Sequence, residues 1–170
     1  MYSRLFISFL SLSFVMLALP QLARAQNAYE SRYTMMTGAL NPDSILAKNR
    51  IMRSKLASHK RTLNADDVEL VKLVDQPTKV LVFLGTWCPD SQRNLPPFMN
   101  LIEAAGNKNI VVEYIGVDRR KMDPEALVTT YSITRVPTFL VMREGKELGR
   151  LVERPINSVE KDIIEIFQKK

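Results

Sequence analysis

The chain has 170 residues, 46% hydrophobic and 25% charged, with a formal net charge of +6. This length suits one ordinary domain with a real core, and so mild a basic balance is by itself no evidence for nucleic acid as a partner. The sequence holds a single cysteine, Cys88, which excludes an internal disulfide.

Residues 1–25 read as a secretory signal. Arg4 supplies the positive start, residues 5–19 the apolar stretch, and Ala23-Arg24-Ala25 an A-x-A cleavage site. The apolar stretch is short for a membrane span, and retention as an anchor is the alternative to cleavage. No cysteine lies near the cleavage point, which argues against a lipid-modified start. Cleavage after Ala25 leaves 145 residues and removes Arg4 and Arg24, so the net charge of +6 becomes +4. The protein is therefore expected to be exported, either periplasmic or secreted. In an oxidising compartment a lone thiol has to be protected, capped or used.

Residues 26–40 show no clear period, which predicts a loose N-terminal arm. Thioethers such as those of Met35 and Met36 suit copper(I), but with no neighbouring Cys or His they read as packing. No metal site and no cofactor are expected. Asn41 as cap and Pro42 in the first turn predict a helix to about His59, with a thin apolar stripe of Ile45, Met52 and Leu56. Lys48, Arg50, Arg53, Lys55, Lys60 and Arg61 make residues 42–61 basic. That stretch implies weak contact with an anionic membrane surface or acidic partner, or else a solvated helix face packed on the domain. His59, the only histidine, is a base for Cys88 only if the fold brings them together; a solvated helix end is the plainer reading. Asn64 caps a second short helix with Asp67 in its first turn and Val68, Leu70, Val71 and Val74 as apolar positions. Residues 75–78 are a loop.

The most informative stretch follows. Val80, Leu81, Val82, Phe83 and Leu84 form a short β-rich run that reads as a strand buried on both faces. It ends in Gly85-Thr86, then Trp87 and Cys88. Past Pro89 the period becomes helical, with Phe98, Leu101, Ile102 and Ala105 on one face and an end near Gly106-Asn107. Cys88 therefore sits at a strand-to-helix junction, where unpaired N–H groups and the helix dipole favour a thiolate, the nucleophile of disulfide exchange. The alternative is a small buried hydrophobe.

Residues 110–117 predict a second strand, and two such strands with a helix between them make a parallel βαβ unit. A charged loop at 118–121 and a helix at 124–131 come next. Residues 138–143 and 146–152 read as a hairpin turning at Glu144-Gly145. A last helix places Val159, Ile163, Ile166 and Phe167 on one face, with Asn157 as its cap and Glu160 three residues on.

The segment Trp87-Cys88-Pro89-Asp90-Ser91 resembles the active site of the thioredoxin superfamily, with Ser91 in the place of the second cysteine. Pro96, eight residues after Cys88, matches that family's helix-kinking proline, Val136-Pro137-Thr138 its cis-proline segment, and Gly145 its last hairpin turn. The resemblance covers residues 77–170. It implies an α/β, thioredoxin-like fold, a central mixed β-sheet flanked by helices, with residues 26–76 as an N-terminal arm and helical extension.

The same resemblance assigns catalysis to Cys88 and Ser91, and substrate contact to Trp87, Pro89, Asp90, Val136 and Pro137. Ser91 cannot resolve a mixed disulfide, although its hydroxyl can donate a hydrogen bond to a thiolate. The family's buried acid, six residues before the first cysteine, corresponds here to Val82. The implied function is monothiol exchange with an external resolving thiol, on disulfide- or thiol-containing proteins or small thiols. The alternative is a non-catalytic thioredoxin-fold module that binds an extended peptide. Copper handling is weakly supported, because paired cysteines are absent.

Overall fold

A computed structural model describes residues 35–123 and 125–169. The expected signal at 1–25 and most of the arm that follows it lie outside the described residues. Five strands form one sheet: β1 (Gly38–Leu40), β2 (Thr78–Leu84), β3 (Ile110–Gly116), β4 (Thr138–Arg143) and β5 (Lys146–Val152), in the order β1-β3-β2-β4-β5. The helices are α1 (Pro42–Lys48), α2 (Arg50–His59), α3 (Ala65–Lys72), α4 (Pro89–Ala105), α5 (Leu127–Thr130) and α6 (Val159–Phe167).

β2 is the central strand. It pairs parallel with β3 from Thr78–Ile110 to Leu84–Gly116, and antiparallel with β4. Strands buried on both faces read as continuous apolar runs, and β2 is buried at every position except Lys79. Its two faces feed different cores. Val80, Val82 and Leu84 pack with Leu95, Phe98 and Leu101 of α4 and Ile163 of α6. Leu81 and Phe83 pack on the other side with Cys88, Ile115, Val136 and Leu140. The hairpin joining β4 to β5 turns through Glu144 (φ 51°) and Gly145 (φ 76°). Two successive positive φ values are what a two-residue turn matching strand twist requires.

The structure departs from four local expectations. Residues 38–40 are not part of a loose arm: they pair antiparallel with β3, Gly38 opposite Gly116 and Leu40 opposite Tyr114. Three residues are too few to show a period-two pattern, so this edge strand carries no local signal.

The single helix expected between Asn41 and His59 is two helices, broken at Asn49. Asn49 adopts extended backbone and its side chain accepts from the Met52 amide, starting α2 afresh. Asparagine competes with helical bonding in this way, and the buried Thr86 carbonyl, which accepts from Asn49 Nδ2 at 3.0 Å, fixes the outcome.

The helix expected at 124–131 is only Leu127–Thr130, with Ala126 before it left-handed (φ 56°). Asp123 takes over the capping, accepting from the Leu127 and Val128 amides. Finally, α6 is capped by Ser158 rather than Asn157. Ser158 Oγ accepts from the Lys161 amide, while the Asn157 side chain donates to Asp162.

The N-terminal helices share the core of the sheet: Ile45, Met52, Val68 and Val71 are buried in the same cluster as Leu95 and Phe98. Lys48, Arg50, Arg53, Lys55, Lys60 and Arg61 point outward and are exposed. Burial in this core pushes the Tyr114 phenol well above its ordinary value of 10.0. The sign follows from linkage: a raised folded value gives stability that is present below the unfolded value. That stability is lost as pH rises through the folded one. Denaturant midpoints should therefore fall above about pH 10, and Tyr114→Phe should flatten that decline. An equally steep decline in Tyr114→Phe would assign the effect elsewhere.

Candidate functional site

The site forms where β2 gives way to α4. Cys88 is the N-cap of α4, with Pro89 in the first turn and Asp90 beside the helix N-terminus. The turn entering it is closed by the Cys88 amide donating to Gly85 O at 2.9 Å, and the helix begins with Gln92 N donating to Cys88 O at 3.0 Å. Cys88 is 8% exposed, and its thiol donates to the Val136 carbonyl at 3.3 Å. Val136-Pro137 is a cis peptide bond. The residues that the family resemblance names on two distant segments, Cys88 and Val136, are thus in direct contact.

Ser91, one turn on, is fully buried, and its hydroxyl accepts from the Gly85 amide at 3.2 Å. Val82 is likewise fully buried, among apolar side chains. Trp87 is half-buried, and its indole N–H donates to Val117 O at 3.0 Å. That bond lays the ring along the loop after β3, where the Arg119 guanidinium carbon sits 5.0 Å from the ring centroid. Pro89 is exposed, and Asp90 pairs with Arg93 one turn along α4. Pro96 lies inside α4 and is buried, followed by Pro97.

Two supports of the site carry no sequence signal by themselves. Thr86, between the strand and Trp87, is held from three directions. Its carbonyl accepts from Asn49 Nδ2 and from Gln92 Nε2, and its hydroxyl accepts from the Met36 amide. On the far side, Asn94 of α4 donates to the carbonyl of Glu153, whose own amide donates to Pro137 O at 2.8 Å. These bonds join the N-terminal segment, α4 and the Pro137 loop around Cys88. Gln92 and Asn94, two amide side chains early in the helix that follows Cys88, are the only hint the sequence offers.

His59 is not near the thiol. It lies against α6, with Nε2 at 2.7 Å from Glu160 Oε1 and Nδ1 at 3.4 Å from the Asn100 amide. Among the described residues, no group of three or more His, Cys, Asp or Glu is placed to hold a metal ion. Chemically, the arrangement offers one sulfur at a helix N-terminus beside an aromatic face and a main-chain carbonyl.

The same architecture occurs in a protein of unknown function from Pseudomonas aeruginosa. Its structure superposes with a TM-score of 0.62 over 76% of this chain and 92% of that one, at 19% identity, a likeness of fold alone. In sequence, the chain is 27% identical over 89 residues to a thioredoxin-like protein of Acanthamoeba polyphaga mimivirus, covering 52% of this chain and 62% of that one. It is 29% identical over 97 residues to the chloroplastic thioredoxin Y of Oryza sativa subsp. japonica, covering 56% and 53%. The chain thus spans less than two thirds of the length of either relative. A family model described as Thioredoxin matches residues 45–165, which takes in α2 and α3 as well as strands β2 to β5 and the Cys88 junction. With that match over most of its length, and with Cys88 against the cis-proline segment, the chain belongs to the thioredoxin family.

Proposed function

We propose that this is an exported monothiol thioredoxin-like protein that forms mixed disulfides through Cys88 and relies on an external thiol to resolve them. The observation that carries the reading is the pairing of Cys88 Sγ with Val136 O, while Ser91 occupies the resolving position. The Cys88 thiolate attacks one sulfur of a substrate disulfide. That S–S bond breaks, the new bond joins Cys88 to the attacked sulfur, and the other sulfur leaves as a thiolate that takes up a proton. An external thiol then attacks the substrate sulfur of the adduct, freeing Cys88 and leaving a disulfide between the substrate and that thiol, whereas attack by the substrate's own second thiol frees Cys88 and closes a substrate disulfide again. A second external thiol completes any net two-electron reduction. The substrate chain would lie extended along the Val136 backbone, in the manner of an added strand.

The burial of Cys88 and a thiol already bonded to a carbonyl favour one competing reading, a module that binds extended peptides without exchange. The test is incubation with excess 2-hydroxyethyl disulfide, followed by an acid quench and intact mass. The native protein should gain one adduct, 2-mercaptoethanol should remove it, and Cys88→Ala should gain none. Peptide binding unchanged in Cys88→Ala, with no adduct on the native protein, would favour the module. The mass of the exported protein reads the export proposal directly, with Gln26 as the expected first residue.

A further inference from the structure

The thiol has an asymmetric surround. On one side, carboxylates are committed: Asp90 to Arg93 and Glu153 to Arg135. On the Trp87 side the loop after β3 carries Arg119, Arg120 and Lys121 in succession. Its own Asp118 is turned to the backbone, accepting from the Arg120 and Met122 amides at 2.8 Å each. Among the described residues, none of these three cations has a carboxylate partner within ion-pair distance. Arg119 and Arg120 are exposed.

Arg119 differs from an ordinary surface arginine because it is held over the Trp87 ring. The ring is itself pinned by its bond to Val117 O, so the guanidinium is presented at a defined place beside the residue that precedes the thiol. A stacked guanidinium keeps its N–H edge open, and that edge matches a carboxylate with two parallel hydrogen bonds. A long flexible side chain normally loses rotamer freedom on binding, and the stacking removes part of that loss beforehand.

We propose that the Trp87–Arg119 platform selects peptide segments that carry acidic side chains next to the reacting cysteine, with Arg119 as the principal specificity residue and Arg120 in support. The proposal rests on the exchange reading above and names its substrate class. A carboxylate beside the substrate disulfide docks on Arg119 while the sulfur meets Cys88. Lysine-flanked cysteines are repelled from the same rim. Rim charges of this kind act on association rate and salt dependence.

Two measurements separate this proposal from the exchange reading. The first follows adduct formation on Cys88 with three symmetrical peptide disulfides, whose cysteine is flanked by Glu, Gln or Lys. The Glu peptide should react about tenfold faster than the Gln peptide at low salt and lose most of that lead at 0.5 M NaCl, with the Lys peptide slowest. In Arg119→Gln the Glu-to-Gln rate ratio should fall at least about fivefold, while Lys108→Gln, at the opposite end of the sheet, keeps it. A ratio near one in the native protein, or an unchanged ratio in Arg119→Gln, overturns the proposal.

The second measurement needs no exchange. Trp87 is the only tryptophan, so its emission in a Cys88→Ser protein reports occupancy of the platform directly. A Glu-Ser-Glu peptide should perturb that emission at lower concentration than Gln-Ser-Gln, and equal response to both overturns the proposal. Selective binding together with no adduct from any disulfide would instead overturn the exchange reading and leave an acidic-peptide module.

Discussion

On the proposed monothiol mechanism, Ser91→Cys is expected to convert slow clearance of mixed disulfides by an external thiol into rapid internal clearance. Residue 91 lies in the first turn of α4, three positions after the N-cap Cys88, and residues three apart on a helix are neighbours. A thiol there attacks the Cys88 adduct intramolecularly. Well-oriented groups in one molecule react at effective concentrations far above the millimolar level of an external thiol, so the adduct lifetime should fall by about two orders of magnitude or more. The gain has two brakes. Val82 leaves proton transfer without an acid on β2, and the larger sulfur must fit a fully buried position whose hydroxyl now accepts from the Gly85 amide. The assay is reduction of a protein disulfide with a dithiol donor, together with a thiol count after oxidation. Native protein should show slow turnover limited by attack of the donor on the Cys88 adduct, and Ser91→Cys an internal disulfide and faster, sustained turnover. Failure of the variant to close an internal disulfide under oxidant would show that the two side chains do not share one site.

The largest expected loss of stability from a single methyl group is at Gly116. A Cβ there would stand 2.4 Å from the Met36 carbonyl oxygen and 2.7 Å from Leu40 Cδ1. The first of these is backbone, which cannot swing aside as a side chain can. Gly116→Ala must therefore push the segment before β1 away from β3, and overpacking of this kind costs about 2–3 kcal/mol. The same displacement withdraws the Met36 amide from Thr86 Oγ1, so the turn leading into Trp87 loses one of its three braces. Denaturant midpoints should report the energetic loss, and hydrogen exchange should locate it at residues 36–40. A cost below about 0.5 kcal/mol would mean that this segment detaches easily and braces nothing.

The sequence by itself determined what depends on neighbours along the chain. The β2–α4 junction was legible because a β-rich run, Gly85-Thr86 and Pro89 mark the strand end and helix start within ten residues. The β4–β5 hairpin was legible for the same reason: Gly145 relieves the backbone where the turn needs positive φ. Both strands have the bounds expected, 138–143 and 146–152. Cys88 stood out as the one thiol in the chain, and the Val136-Pro137 segment stood out only through family resemblance. Where local signals compete, the reading failed. Asn157 and Ser158 are both good caps, and the choice fell to Ser158, with Asn157 drawn to Asp162.

Tertiary structure decided what depends on partners far along the chain. Asn49 breaks a helix that its own neighbours would have continued, since the partner of its amide is Thr86, 37 residues away. Gly38–Leu40 form a strand because Gly116 leaves room at the edge of β3. His59 meets Glu160 instead of Cys88, because α2 packs along α4 and ends beside Asn100, far down that helix from the thiol. Arg119 becomes a feature of the site only when Trp87 is pinned beneath it by Val117. In each case the deciding group belongs to another segment of the chain, and periodicity along the chain carries no record of it.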